Sequence, residues 1–223
     1  MTFYEIYESV VMKLWGDSTP PTSATSFLQG DEGLISKYYR KVQQDYNYWF
    51  MRAYTYWDTV VGTQTYNLPD NCKEIISMQF KVNGEDYFKD PLSPLQLTDP
   101  FTEKWPENNN TAEYPEYYEM IGESITLYPS PNAVRTLHLI YWTLLTSPVA
   151  ADWVEATSTE NAVTQYAGEQ IAYFAASDYS GMMKEYDQAQ YYNQKAQELI
   201  FDLKQEDFRR RQAPVAEVRY GEF

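Results

Sequence analysis

The sequence predicts an α+β protein: an α-helical bundle made from the N- and C-terminal helices, with an inserted antiparallel β domain and an extended C-terminal arm. Three observations predict it. Near both ends of the chain apolar residues recur every three or four positions. The middle instead carries short β-branched and aromatic runs punctuated by turn residues, and the residues after Pro214 follow neither pattern. The implied divisions are residues 1–50 for the N-terminal helices, 51–150 for the β domain with a long loop at 90–115, 151–212 for the C-terminal helices and 213–223 for the arm.

From Thr2 to Trp15, the residues Phe3, Ile6, Val10, Val11 and Leu14 share one helical face, and "GDSTPPTS" ends the pattern. A second helix is expected from Asp31 and Glu32, placed near the positive end of its dipole, through Ile35, Tyr38, Val42 and Tyr46 to about Trp49. Strands follow in "YTYWDTVVGTQTYNLP", "EIISMQFKVNGEDYF", "YYEMIGESITLYP" and "RTLHLIYWTLL". Asn83-Gly84 has the signature of a type I′ hairpin turn, in which both central residues need positive φ, and Gly122-Glu123 is a second candidate turn. The excursion "DPLSPLQLTDPFTEKWPENNNTAEYP" holds five prolines and reads as a long surface loop with one helical turn at Pro94 to Leu97. Helical periodicity resumes at Thr157, where Thr157 and Glu160 have capping-box spacing. Gly181 is expected to separate this helix from a last one, whose face is Met182, Tyr186, Ala189, Ala196, Ile200 and Leu203 and whose length reaches about 40 Å.

Each terminal helix has only one apolar face, so the two ends must pack together, leaving the β segment to protrude. At 223 residues the chain is long enough to bury a sizeable core. With 22 Tyr and 6 Trp it is rich in residues suited to surfaces that are half buried and half wet. The net charge of −15 argues against nucleic-acid binding as the main activity, since phosphate binding depends on Lys and Arg. One cysteine, Cys72, rules out an internal disulfide and a thiolate zinc site. No run is long and apolar enough to span a membrane, and no secretory leader pattern is seen at Met1.

Chemistry-bearing constellations are sparse. The one histidine, His138, lies in the alternating run "RTLHLIYW", where it reads as a packed or half-exposed strand residue because no nucleophile or orienting group is nominated beside it. The usual phosphate-loop, dinucleotide, hydrolase and zinc-protease signatures are absent. No catalytic residue, cofactor or metal is therefore assigned. A rival reading is an aromatic-rich carbohydrate-binding module or tail-associated glycosidase, which needs exposed Trp105, Trp142 or Trp153 on a flat face beside a carboxylate pair.

The C-terminus stands apart. From Arg209 onward four arginines face two glutamates, so this stretch carries about +2 and the rest of the chain about −17. Arg209, Arg210 and Arg211 suit the negative end of a helix. That does not account for the residues past Pro214, where Val215, Val218, Tyr220 and Phe223 accompany Arg219. Such a segment has the anchors of one that orders on a partner, and when extended it reaches about 30 Å.

The order of these segments resembles the head-to-tail adaptor proteins of tailed bacteriophages, especially of the short-tailed kind. The resemblance rests on Tyr66-Asn67-Leu68-Pro69-Asp70 leading into a strand, and on Gly122 through "ITLYPSP" into "LHLIYW", between the flanking helices. It implies a non-enzymatic virion protein, made in the host bacterial cytoplasm, that forms a homo-oligomeric ring, twelvefold in relatives, between the portal protein and a tail, nozzle or tail-fibre protein. Genomic DNA would pass through the lumen at ejection without sequence-specific binding. The resemblance also implies that the C-terminal helix and arm reach the portal, with Arg209, Arg210, Arg211, Val215, Val218, Arg219, Tyr220 and Phe223 as the contact set.

Overall fold

A computed structural model describes residues 1–16, 19–95 and 111–212 of the chain. It is an α+β protein that divides into two compact units, one formed by Met1–Met51 with the chain from Leu145 onward, the other by Arg52–Leu144.

Among the described residues the first unit holds five helices: α1 (Phe3–Trp15), α2 (Thr22–Leu28), α3 (Leu34–Asp45), α4 (Ala162–Met182) and α5 (Tyr186–Gln212). A 3₁₀ turn at Trp49–Met51 follows α3, and another at Ala150–Trp153 precedes α4. α4 is the hub. Its buried residues include Ala167, Ala172, Ala175 and Ala176, whose small side chains let neighbouring helices approach closely. At Gly168 an added Cβ would lie 3.3 Å from Ile6 Cδ1. Against α4, helix α1 buries Phe3, Ile6 and Val10, and α3 buries Ile35, Tyr39 and Val42. Fully burying each such aliphatic or aromatic group contributes about 1.5–3 kcal/mol. Polar ties fix the register: Lys13 pairs with Glu169 at 2.8 Å, Lys37 with Asp178 at 2.6 Å, and Tyr38 stacks on Phe174 with centroids 5.0 Å apart.

Several helix boundaries differ from the sequence expectation. The second expected helix begins at Leu34, because Gly30 takes a φ of +87° and turns the chain before Asp31. Asp31 therefore pairs with Arg40 at 2.8 Å and does not cap a helix. That helix also ends at Asp45, short of Trp49, because Tyr46 turns extended and both Tyr46 and Trp49 bond elsewhere. The cap of α4 is Asn161, whose Oδ1 accepts from Thr164 N at 3.0 Å, while its Nδ2 donates to the buried Tyr39 hydroxyl at 3.0 Å. Thr157 instead bonds back to the Ala151 carbonyl. The short helix α2, for which the sequence carries no expectation, buries Ala24 and Leu28.

Gly181 does not separate α4 from α5. The break falls at Lys184, with a φ of +65°, where Lys184 N–H donates to Gly181 O at 3.1 Å and Glu185 N–H to Ser180 O at 2.9 Å. This is a Schellman end with lysine in the position that glycine usually fills.

Among the described residues the second unit holds nine strands: β1 (Arg52–Asp58), β2 (Thr65–Asn67), β3 (Cys72–Phe80), β4 (Ser93–Pro94), β5 (Thr111–Ala112), β6 (Tyr117–Ile121), β7 (Ser124–Tyr128), β8 (Ser130–Pro131) and β9 (Thr136–Thr143). They form sheets ordered β1-β9-β3, β2-β7-β6-β4 and β5-β8. The long strand β9 alternates strictly. Leu137, Leu139 and Tyr141 face a core completed by Met78 and Phe80 of β3, Ile125 and Leu127 of β7, and Leu68 and Leu92. Thr136, His138, Ile140 and Trp142 take the other face.

Here too the expectation needs correction. The domain is mixed and not purely antiparallel, since β4 pairs with β6, and β5 with β8, in parallel. Pro94, expected in a helical turn, lies in the edge strand β4, where its missing N–H costs no ladder bond. The Asn83-Gly84 reversal is not type I′, because only Gly84 has a positive φ, of +80°. Val82 N–H reaches Tyr87 O at 3.0 Å, so the loop is wider than two residues. Gly122, with a φ of +60°, and Glu123 do form a two-residue turn, with Ile121 paired to Ser124. Part of the expected loop, residues 96–110, lies outside the described residues.

Replacing Lys184 with Gly relieves the left-handed strain at the α4–α5 break. Thermal unfolding of Lys184→Gly should show stabilisation by about 0.5–1 kcal/mol, the left-handed penalty less the added unfolded-state freedom of glycine.

Candidate functional site

The C-terminal end of α5 carries the first three residues of the expected contact set, and Asp207 holds one of them, Arg211. This carboxylate is fully buried and accepts three donors. Tyr46 Oη lies at 2.8 Å, Trp49 N at 2.7 Å and Arg211 Nε at 2.8 Å. A carboxylate held by a phenol, a backbone N–H and a guanidinium has its charge matched by hydrogen bonds from three directions, the condition under which burying it is tolerable. Burial first, then the Asp207 bond, pushes the Tyr46 phenol pKa up.

The neighbouring arginines divide their roles. Arg211 also donates to the Asn47 carbonyl. Arg210 lies over the Trp49 ring, 4.3 Å from its centroid, and its Nε donates to Glu206 at 2.9 Å. Trp49 and Phe50 in turn pack on Tyr166 of α4, with centroids 5.0 and 5.1 Å away. Of the three arginines, then, Arg210 and Arg211 clamp the end of α5 onto the 46–50 segment, while Arg209 is exposed. Val215, Val218, Arg219, Tyr220 and Phe223 lie outside the described residues. Sequence reasoning missed Asp207. Its signal was a charge at a core-facing position, four residues after Leu203 on the same helical face.

In the β unit, His138 stacks on Tyr56 at 4.3 Å and meets Phe88 at 5.0 Å, and neither ring nitrogen has a hydrogen-bond partner among the described residues. Burial, then the charge of Arg52, lowers its pKa. The imidazole is a packed ring on the outer face of β9, as the alternating run implied. Among the described residues no group of His, Cys, Asp and Glu is arranged to hold a metal ion. Trp142 and Trp153 are both half-buried and belong to different units, and Trp105 lies outside the described residues.

The described residues thus form a helical unit with an inserted β unit, and the buried Asp207 serves to clamp a helix end. Residues 1–218 match the family model of the SU10 adaptor protein, and the chain belongs to that family. It is a phage adaptor protein of the head-to-tail kind, a structural component of a virion. No curated protein matches it. Among the described residues no helix is long and apolar enough to cross a membrane.

Two outcomes follow from these contacts. Asp207→Ala strands the Tyr46 and Trp49 donors and should cost about 2–4 kcal/mol in denaturant unfolding. His138 has a lowered pKa when folded, so the contribution of its neutral form is full above an unfolded pKa of about 6.5 and is lost as pH falls below that value toward the folded one. Unfolding measured from pH 8 to pH 5 should show His138→Phe losing less stability over that window than the unaltered chain.

Proposed function

We propose that this adaptor closes into a ring, twelvefold as in the proteins it resembles, which sits beneath the portal and carries the tail or nozzle below. Membership of the adaptor family over nearly the whole chain is the observation that carries this reading. The helical unit supplies the ring wall and the β unit faces the tail components. The acidic bulk of the chain suits a passage through which DNA slides without adhering, since like charge disfavours binding. In this role the chain runs no reaction of its own.

The C-terminal segment is read as the portal contact. Past Gln212 the chain continues with Val215, Val218, Arg219, Tyr220 and Phe223, apolar and aromatic anchors beside a cation. Asp207, Arg210 and Arg211 hold the last turn of α5 in place, so this continuation starts from a fixed point. A held origin lowers the entropy cost of docking a terminal segment. Arg209 is the arginine of the three best placed to act with it.

Two measurements test this. Negative-stain imaging of the chain mixed with the portal of its phage should show an added ring layer, and a portal that never gains one contradicts the reading. Removing residues 214–223 should leave the thermal unfolding midpoint unchanged while abolishing portal attachment. Equal loss of both would assign the segment to the fold.

A further inference from the structure

Among the described residues β9 is the only strand beside β1, so one side of β1 is an open sheet edge. The bonding phase shows which groups that edge presents. Thr59 N–H donates to Arg135 O at 2.9 Å, and the β1–β9 register runs on from that pair without a shift. Ala53, Thr55 and Trp57 therefore bond to β9, whereas Arg52, Tyr54, Tyr56 and Asp58 turn their main-chain N–H and C=O groups outward. All four are exposed, Tyr54 by 69% and Tyr56 by 49%.

The other edge of the same sheet is protected. β3 carries two register shifts, and its outward carbonyls are used: Leu92 N–H donates to Met78 O at 2.8 Å and Lys89 N–H to Phe80 O at 2.9 Å. β1 holds no proline, lysine or bulge over its seven residues. An edge this long and regular is a template for another strand.

Charge and register give the occupant. Set against itself in the opposite direction, β1 places Arg52 opposite Asp58, Tyr54 opposite Tyr56, and Thr55 opposite Thr55 of another copy. This register also matches the bonding phase, since the outward groups of Tyr54 and Tyr56 meet as hydrogen-bonded pairs and Thr55 forms the closer pair without such bonds. The charges at the two ends are not used within the chain. Among the described residues no salt bridge involves Arg52 or Asp58, and the bond that Asp58 accepts, at 2.7 Å, comes from the neutral Thr136 hydroxyl. A foreign strand would have to bring an acid and a base at this same spacing, whereas a second copy already carries them. Tyr56 is held by its stack on His138, at 4.3 Å, so it enters the pairing with little freedom to lose.

We infer that β1 pairs antiparallel with β1 of a second copy of this chain, joining two sheets into one across a two-fold axis at Thr55. Such a contact uses the same patch on both copies and stops at two, so it does not propagate round a ring. It is a form of the chain outside the ring, and it covers the open edge until assembly. The inference does not rest on the proposed ring, and its test needs no portal. Sedimentation equilibrium of the isolated chain at micromolar concentrations should show monomers and dimers. A chain that stays monomeric, or that passes straight to larger assemblies, overturns the inference and leaves the proposed function standing. Arg52→Asp and Asp58→Arg each set like charges opposite one another twice, once on either side of the axis, and should each weaken the dimer by more than about tenfold. Carried together they exchange partners and should restore it. Dimers indifferent to the single changes, or not recovered by the double one, overturn the pairing. Thr55→Cys in a Cys72→Ser background gives a reading that leaves the charges alone: oxidation should link two copies through residue 55, and failure to link them would contradict the two-fold register.

Discussion

The antiparallel pairing of β1 with β9 is the constraint on which this architecture depends. Arg52 is opposite Trp142 and Asp58 is opposite Thr136, so the first and last strands of the β unit run side by side along their whole length. The chain therefore leaves the helical unit and returns to it at one place. A helical core can then be assembled from residues more than a hundred positions apart, as though the β unit were a long loop with tethered ends. On the helical side, the buried Gln43 holds the returning chain, its Oε1 accepting from Leu145 N at 2.6 Å.

Given that closure, α4 becomes the element both ends of the chain need. α1 and α3 each present one apolar face, and α4 supplies small buried residues for both while leaving another face for α5. The last turn of α5 would fray if it relied on packing alone, since few of its residues are buried. The Asp207 cluster prevents this with directional bonds, and Arg210 over Trp49 adds a cation–π contact worth about 0.5–1 kcal/mol. Arg210 and Arg211 thus serve the fold. The segment beyond them begins from an anchored helix end.

Much of this was legible in the sequence because periodicity is a local signal. The faces of α1 and β9 follow directly from spacing. What was not legible depended on partners distant along the chain. The end of α3 is decided by Asp207, more than 150 residues away, and the start of α4 by an Asn161 side chain that also serves Tyr39. The role of Arg210 and Arg211 was hidden for the same reason. A helix-end dipole explains a basic turn without naming the carboxylate and the indole that hold it. The left-handed Lys184 escaped notice because composition pointed to the nearby Gly181, whereas the hydrogen bonds place the break three residues later.

The central claim is that the two ends of the chain build one rigid helical unit whose C-terminal extremity is the part given over to another virion component. Hydrogen exchange read by mass spectrometry, on the chain alone and on the chain bound to its portal, tests it most directly. The account predicts slow, unchanged exchange in α1 and α4, and new protection on binding from Arg209 onward. New protection confined to the β unit, with the C-terminal residues unaffected, would contradict it.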